Sequence, residues 1–304
     1  MDIGPGISAE ELVSEMGRAN VMGAGRIAKA ADIIHTMIRD KDCKVFLGIA
    51  GALVPGGQKN ILIDMIRNRM IDVLVTTGAN LTHDLVEALG YHHYQGSCIV
   101  DDKELYEKNL DRIFETYMPN DVYPALEDFF KDIFPEIEGK DMDIQSFLDL
   151  VGSKVPSENS DSILKACHEV QIPIFCPALA DSGIGLMVWG YLAKGKKVSV
   201  DAFGDLKKIL DITWTSEKNG IIYLGGGVPK NYIQQALQFS KGSDYGVQVT
   251  MDRPEPGGSS GAELREGISW GKMNCEGSFI DVICDVTIAL PLIYSAVRTR
   301  SQSQ

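Results

Sequence analysis

No basic run crosses this chain, no window approaches about 18 uninterrupted apolar residues, and no two cysteines stand at C-x-x-C spacing. Each absence excludes something. The 29 Lys and Arg are outnumbered by 42 Asp and Glu, for a net charge of −13. Without a Lys/Arg stripe to neutralise phosphates, no nucleic-acid role is expected. Without a long apolar run, no membrane span is expected. The six cysteines, Cys43, Cys98, Cys167, Cys176, Cys275 and Cys284, are scattered, and no histidine joins them at metal-ligand spacing, so no metal is expected. Several lie in apolar stretches such as IFCPAL and DVICDV, where a free buried thiol is the ordinary outcome and a reducing compartment follows. The opening MDIGPGISAEELV has neither a basic n-region nor an apolar h-region, which predicts no signal peptide and a cytoplasmic address. No repeat, Pro/Ser-rich boundary or low-complexity linker divides the chain. The expectation is one continuous domain over residues 1–304, opening with a helical segment over residues 1–40.

What is present is periodic. Residues 8–39 read as helix: Ser8 stands as a cap before acids in the first turn, and RIAKAADIIHTMIRD spaces its apolar residues for one helical face. CKVFLGIA and IDVLVTTGAN then read as short buried strands, each running into a turn and a helix (NILIDMIRNRM, LTHDLVEALG). The stretch over 101–150 is acidic and reads as solvated cover helices. The strand-turn pattern returns in IPIFCPALADSGIG, KVSVDAFGDLKKIL, GIIYLGGGVPKN, YGVQVTMD and SFIDVICDV. Such alternation predicts an α/β fold with a parallel sheet and helices on its faces. Ligands in open α/β sheets sit beyond the carboxyl ends of the strands. The turns to watch are therefore 51–57, 76–84, 181–185, 225–231 and 250–261, together with Asp285.

Individual motifs carry unequal weight. A formal G-x-G-x-x-A at Gly23–Ala28 follows no strand, so it reads as a helix-joining turn rather than a dinucleotide fingerprint. Three consecutive glycines in LGGGVPKN imply close approach of a ligand or of another backbone. His83, beside Asp84 at a helix start, reads as a capped side chain or a catalyst; His92 and His93 read as packing or a subunit contact. Lys272, in GISWGKMN, stands apart. A lysine acts as a nucleophile only as the neutral amine, which burial or a nearby cation favours. Trp270 and Met273 could wall such a slot, Gly271 lets the backbone pass close, and Glu266 could hold a cationic substrate or move protons. A snorkelling structural lysine is the alternative.

Taken together and in order, FLGIAGALVPGG, IDVLVTTGAN, IPIFCPALADSGIG, LGGGVPKN, GGSSGAELREGISWGK and CDVTIALPL resemble the deoxyhypusine synthase family from about residue 14 to residue 295. TTGANLTHD with GGGVPKN is similar to its archaeal and bacterial branch. The resemblance implies a Rossmann-like fold, a homotetramer with NAD at subunit interfaces, and aminobutyl transfer from spermidine. In that chemistry NAD oxidises spermidine, 1,3-diaminopropane leaves, and the four-carbon remainder is held as an imine on the lysine at Lys272. The acceptor is a lysine of the hypusine-carrying translation initiation factor, or putrescine in members that make homospermidine. A catalytically idle NAD-binding homologue is the third reading.

The resemblance also implies site residues. The cofactor positions fall on Gly51, Ala52, Leu53, Val54 and Pro55, on Thr77, Gly78 and Ala79, and on Asp181 and Gly226. Met251, Asp252, Asp285 and Val286 complete them. The substrate pocket falls on Thr82, His83, Leu186, Asn231, Gly257, Gly258 and Ser259, and on Glu266 to Lys272 with Trp270 as the aromatic wall. Departures gather there. Thr82 and His83 stand where the eukaryotic enzymes carry an acidic pair, Leu186 and Ser259 stand for aspartates, and Asn231 stands for a histidine. Each lost carboxylate removes a charge-assisted contact to a polyamine ammonium. Glu266, Asp252 and Glu263 remain as candidate acids, and His83 as a proton carrier in place of the missing glutamate.

Overall fold

The structure is a computed structural model that describes residues 1–156 and 161–302. The chain divides into two compact units, Met1–Ala50 with Met70–Val75 and Leu206–Gln304, and Gly51–Arg69 with Thr76–Asp205.

The first unit is built on a parallel sheet. Its strands lie in the order Met273–Ile283, Ser243–Thr250, Lys218–Leu224, Cys43–Ile49, Val73–Thr76. The first three pairings are parallel, with Cys43 to Ile49 in register against Lys218 to Leu224. Phe46, Leu47, Ile221, Tyr223 and Val247 are fully buried, as expected of strands covered on both faces. Strand order reverses relative to chain order about Cys43–Ile49, the arrangement that opens a crevice at the strands' carboxyl ends. The α/β expectation of a parallel sheet with flanking helices matches what is found.

The helical opening is two helices, not one. Ala9–Ala19 begins with a capping box in which Ser8 and Glu11 bond each other reciprocally. It ends where Asn20 turns left-handed at φ 50°, and Met22–Arg39 follows. The helix-joining turn is therefore at Asn20–Val21, and Gly23–Ala28 lies inside the second helix. Gly25 is required there because a Cβ would come within 2.7 Å of the Asn20 carbonyl carbon.

The second unit is mainly helical. Lys59–Arg67, Gly78–Ala88, Val122–Ile137, Ile144–Lys154, Ile163–Val170 and Gly183–Ala193 are its longer helices. Asp84, fully buried on Gly78–Ala88, accepts hydrogen bonds from Ser162 Oγ (2.8 Å) and from the amides of Ile163 (2.7 Å) and Leu164 (3.0 Å). It thereby closes the N-terminus of Ile163–Val170 from outside that helix. The acidic stretch differs from expectation. Tyr94–Gln95, Thr116–Pro119 and Leu110–Ile113 form a small antiparallel sheet, and Val122–Ile137 buries Leu126, Phe130, Ile133 and Phe134 instead of merely covering the surface. No helix among the described residues is long and apolar enough to cross a membrane.

Candidate active site

The candidate residues fall in two groups, one in each unit. In the first unit the decisive segment is the 3₁₀ helix Leu264–Trp270 and the turn after it. Gly271 takes φ 70°, a left-handed conformation that suits glycine, and so reverses the chain. The Lys272 amide donates to Gly267 O (2.9 Å) and its carbonyl accepts from Ser243 N (3.1 Å), which pins the backbone on both sides. The half-buried Lys272 side chain then lies with Nζ 4.8 Å from the centroid of the Trp270 ring. Trp270 is itself 57% exposed. It presents one face to the lysine and leaves much of its surface open. The slot inferred from GISWGKMN is therefore walled by one ring rather than enclosed.

Beside it stands a residue that sequence reasoning missed. Lys230, in the first turn of Gly227–Gln238, is only 5% exposed, and its Nζ donates to Ala262 O at 2.6 Å. Burial brings its pKa down to about 8; Lys272 adds to that, while Asp281 and Glu266 oppose it. Asp281, whose carboxyl burial holds above its usual range, accepts from Leu264 N (3.1 Å) and Gln248 Nε2 (3.1 Å). Gln248 also donates to Ala262 O (3.1 Å). A hydrogen-bonded floor thus holds the segment that carries Glu266, Trp270 and Lys272. The one signal in the sequence was a cation in a helix's first turn, where the macrodipole disfavours it.

The triple glycine is explained by a second backbone. A Cβ on Gly226 would lie 2.3 Å from Ser260 Cα, so only glycine lets the loop carrying Gly257, Gly258 and Ser259 pass. Gly226 also leaves Gly227–Gln238 without any side-chain cap, so its first amides face outward beyond the strand Lys218–Leu224. Asn231 is half-buried on that helix. Met251 and Asp252 are exposed where Ser243–Thr250 ends. Asp285 caps Val286–Gln302 by accepting from Thr287 N (2.7 Å).

In the second unit, Gly51 to Pro55 form a tight turn in which Leu53 and Val54 are buried and Gly51 and Ala52 exposed. Val54 N donates to Asn80 Oδ1 (3.5 Å), joining this turn to Gly78–Ala88. Thr77 caps that helix, and Ala79 is exposed in its first turn. Gly78 is packed so closely that a Cβ would lie 2.5 Å from Ser182 Cβ. The Thr82 hydroxyl donates to Gly78 O (2.9 Å) and accepts from Ile184 N (3.2 Å), so its hydrogen bonds go to the protein. The turns at 76–84 and 181–185 are thus brought together. Asp181 is exposed, as is Leu186 at 52%.

His83 is not a capped side chain at a helix start. It sits within Gly78–Ala88 with Nδ1 2.9 Å from Nε2 of His93, whose Nδ1 is 2.7 Å from Glu87 Oε1. Glu87 in turn pairs with Lys59. His93 is packed, as read from the sequence, and it also has a carboxylate partner. The carboxylate lies six residues upstream, on the preceding helix, where no local pattern reveals it.

The deoxyhypusine synthase family model matches residues 11–297 of the chain. A Methanosarcina mazei protein named "probable deoxyhypusine synthase 1" is 45% identical over 297 residues, covering 97% of this chain and 92% of that one. An Archaeoglobus fulgidus protein of the same name is 40% identical, covering 98% and 97%. The chain belongs to the deoxyhypusine synthase family. A solved structure from Entamoeba histolytica carrying the deoxyhypusine synthase name matches with TM-score 0.66 and 19% identity, over 98% of this chain and 96% of that one. At that identity the likeness is one of fold. Membership makes this deoxyhypusine synthase homologue a transferase, and the family resemblance read from the ordered turns holds over nearly the whole chain.

Proposed function

We propose that this chain catalyses NAD-dependent aminobutyl transfer from spermidine, as a deoxyhypusine synthase acting on a lysine of the hypusine-carrying translation initiation factor. The observation that carries the reading is Lys272, pinned through both backbone groups and held with its amine over the Trp270 ring. An amine on a fixed backbone beside an aromatic face suits attack on an aldehyde or iminium carbon, with the ring shielding the imine from water. Lys230 is unsuited to that role: it is nearly sealed from solvent and its Nζ is spent on Ala262 O. Glu266 is the amine-binding acid, and its carboxylate also acts on buried Lys230. His83 accepts a substrate proton in the other group.

NAD, when bound, supplies the acceptor and later the donor of a hydride. Taken separately, each unit offers groups that fit part of it. The amides at the uncapped start of Gly227–Gln238, beyond Gly226, offer phosphate contacts. Gly51 and Gly57 have positive φ, and a Cβ on either would meet nothing within 4 Å, which leaves room for a ligand at the turn containing Ala52 to Pro55. Thr77 to Ala79, Asp181, Asp252 and Asp285 supply polar groups at the other turns, with Met251 and Val286 as their apolar neighbours.

Homotetrameric assembly belongs to the same proposal. The exposed large apolar side chains Trp189, Phe203, Trp214 and Phe239 support it, because a lone chain seldom leaves such surface to water. Transfer to putrescine is the second reading, favoured by one feature. Thr82 spends its hydroxyl on the protein and Leu186 carries no charge, so fewer acids face a triamine.

The test is incubation with NAD, spermidine labelled in its aminobutyl part, putrescine and the translation factor. Label in the protein supports the first reading and label in a small triamine the second. Lys272→Ala is expected to abolish transfer while NAD binding persists. Full transfer by that variant would sink the imine assignment.

A further inference from the structure

The chain Lys59–Glu87–His93–His83 is more than a set of satisfied side chains. It runs within the second unit from the helix Lys59–Arg67 to the middle of Gly78–Ala88, by way of the loop that follows. Its inner members are well covered: the His93 side chain is 5% exposed, Glu87 17% and Lys59 16%. Glu87 is pinned at both oxygens, Oε1 by His93 and Oε2 by Lys59. Burial works against its ionisation, but those two hydrogen bonds outweigh burial and hold its carboxyl below the usual range. It is a carboxylate, and a carboxylate only accepts.

With a neutral His93, that assigns the protons along the chain. Glu87 accepts, so His93 Nδ1 carries the hydrogen at 2.7 Å. Lys59 already balances the charge of Glu87, so His93 need not be a cation, and its Nε2 is then the lone-pair nitrogen. The hydrogen in the 2.9 Å contact therefore sits on His83 Nδ1. What remains is His83 Nε2, an unprotonated acceptor with no hydrogen-bond partner among the described residues. We propose that the Lys59–Glu87–His93 chain locks His83 in the tautomer whose Nε2 is a base, and that a proton taken there from a substrate ammonium is relayed to His93. This rests on the reading of the substrate as an aliphatic amine.

The relay resolves a difficulty with His83 as a base. Burial above all brings the pKa of His83 down to about 4; His93, when charged, lowers it further and Glu87 opposes, so His83 cannot itself hold a charge near neutrality. It need not. An N–H bond of the ammonium breaks, and its proton bonds to His83 Nε2. The Nδ1 proton of His83 passes to His93 Nε2, and the positive charge comes to rest against the Glu87 carboxylate. The substrate is left as the neutral amine. Charges that act on His83 come from His93 and Glu87; Lys59 acts through Glu87, and Asp84 spends its carboxyl on the start of Ile163–Val170. Val122–Ile137, Ile163–Val170 and Gly183–Ala193, which pack on this helix, contribute no charge to it. His93, Glu87 and Lys59 are thus positioning residues, and only His83 would touch substrate.

Two measurements on the full chain test this. Two-bond nitrogen–proton spectra of ¹⁵N-histidine-labelled protein, assigned with His83→Gln and His93→Gln, should show both residues at neutral pH with hydrogen on Nδ1 and bare Nε2. A His83 with hydrogen on Nε2 overturns the proposal, whatever the activity. In the transfer assay, His83→Gln should lower kcat by about 100-fold or more, within the roughly 10²–10⁴-fold range of general base catalysis. The relay must be free of the extra proton to act, so the acid limb of kcat/KM marks where it fills. Glu87→Gln removes the anion that favours filling, and should move that limb to lower pH. Lys59→Met removes the opposing cation, and should move it to higher pH. Unmoved limbs, or both moving the same way, overturn the relay even if kcat falls. Wild-type protein inactive on every amine would overturn the reading of the site, a failure separate from either result.

Discussion

Two lysines of the first unit lie close enough to feel each other's charge, and their surroundings divide the labour between them. Lys230 is almost inaccessible and held by a carbonyl; Lys272 is half-buried under an open ring. The burial of Lys230 has a cost that pH reveals. Its folded pKa of about 8 lies below the ordinary 10.5. Below about 8 both folded and unfolded chains are protonated, and the cost is fully present. Between about 8 and 10.5 the unfolded chain binds more protons, so stability rises with pH across that window. The contribution is at most about 3.4 kcal/mol, at 1.36 kcal/mol for each pH unit between about 8 and 10.5. Lys230→Met is expected to flatten that rise in denaturant titrations at pH 7 and pH 10 relative to wild type. An identical rise in both would show that Lys230 is not the group responsible. Lys272 was legible in the sequence because a motif surrounds it. Lys230 was not, since nothing in GGGVPKN says that its turn closes over the Ala262 carbonyl.

Helix ends and helix crossings carry the next set of consequences. Gly23 and Gly25 lie two residues apart on Met22–Arg39, yet a Cβ on Gly23 meets nothing within 4 Å and one on Gly25 meets the Asn20 backbone at 2.7 Å. Gly23→Ala is therefore expected to stabilise by up to about 1 kcal/mol through helix propensity, and Gly25→Ala to destabilise by about 1–3 kcal/mol through forced backbone displacement. Chemical denaturation of the two variants checks the opposite signs, and a loss in both would contradict the packing described. Asp84→Ala strips acceptors from two buried amides and a hydroxyl at the start of Ile163–Val170, at an expected cost of about 3 kcal/mol or more. Hydrogen exchange should rise selectively in that helix; unchanged protection would contradict the capping role. Periodicity exposed the long helices and buried strands because each repeats over two or more turns or a full strand. The antiparallel sheet at Tyr94–Gln95, Leu110–Ile113 and Thr116–Pro119 escaped it: strands of two to four residues in an acidic stretch are too short for an alternation to register. The helix break escaped for a similar reason, being only the short left-handed passage through Asn20 (φ 50°) and Met22 (φ 52°) between two helices.

For the whole molecule, the order of Gly-rich turns at strand ends made the family legible, while the contacts that prepare its chemistry are long-range. His83 meets His93 and Glu87, and Gly226 meets Ser260, by folding and not by spacing. Sedimentation at micromolar concentration is expected to give the mass of four chains, with Trp189 and Trp214 fluorescence reporting on buried surface; a monomer would remove the assembly from the account. The most direct test concerns the imine. The protein is incubated with NAD and spermidine, reduced with borohydride, digested, and analysed by peptide mass spectrometry. An aminobutyl adduct on Lys272, dependent on NAD and absent in Lys272→Ala, is the predicted result. No adduct, or an adduct on Lys230, would contradict it.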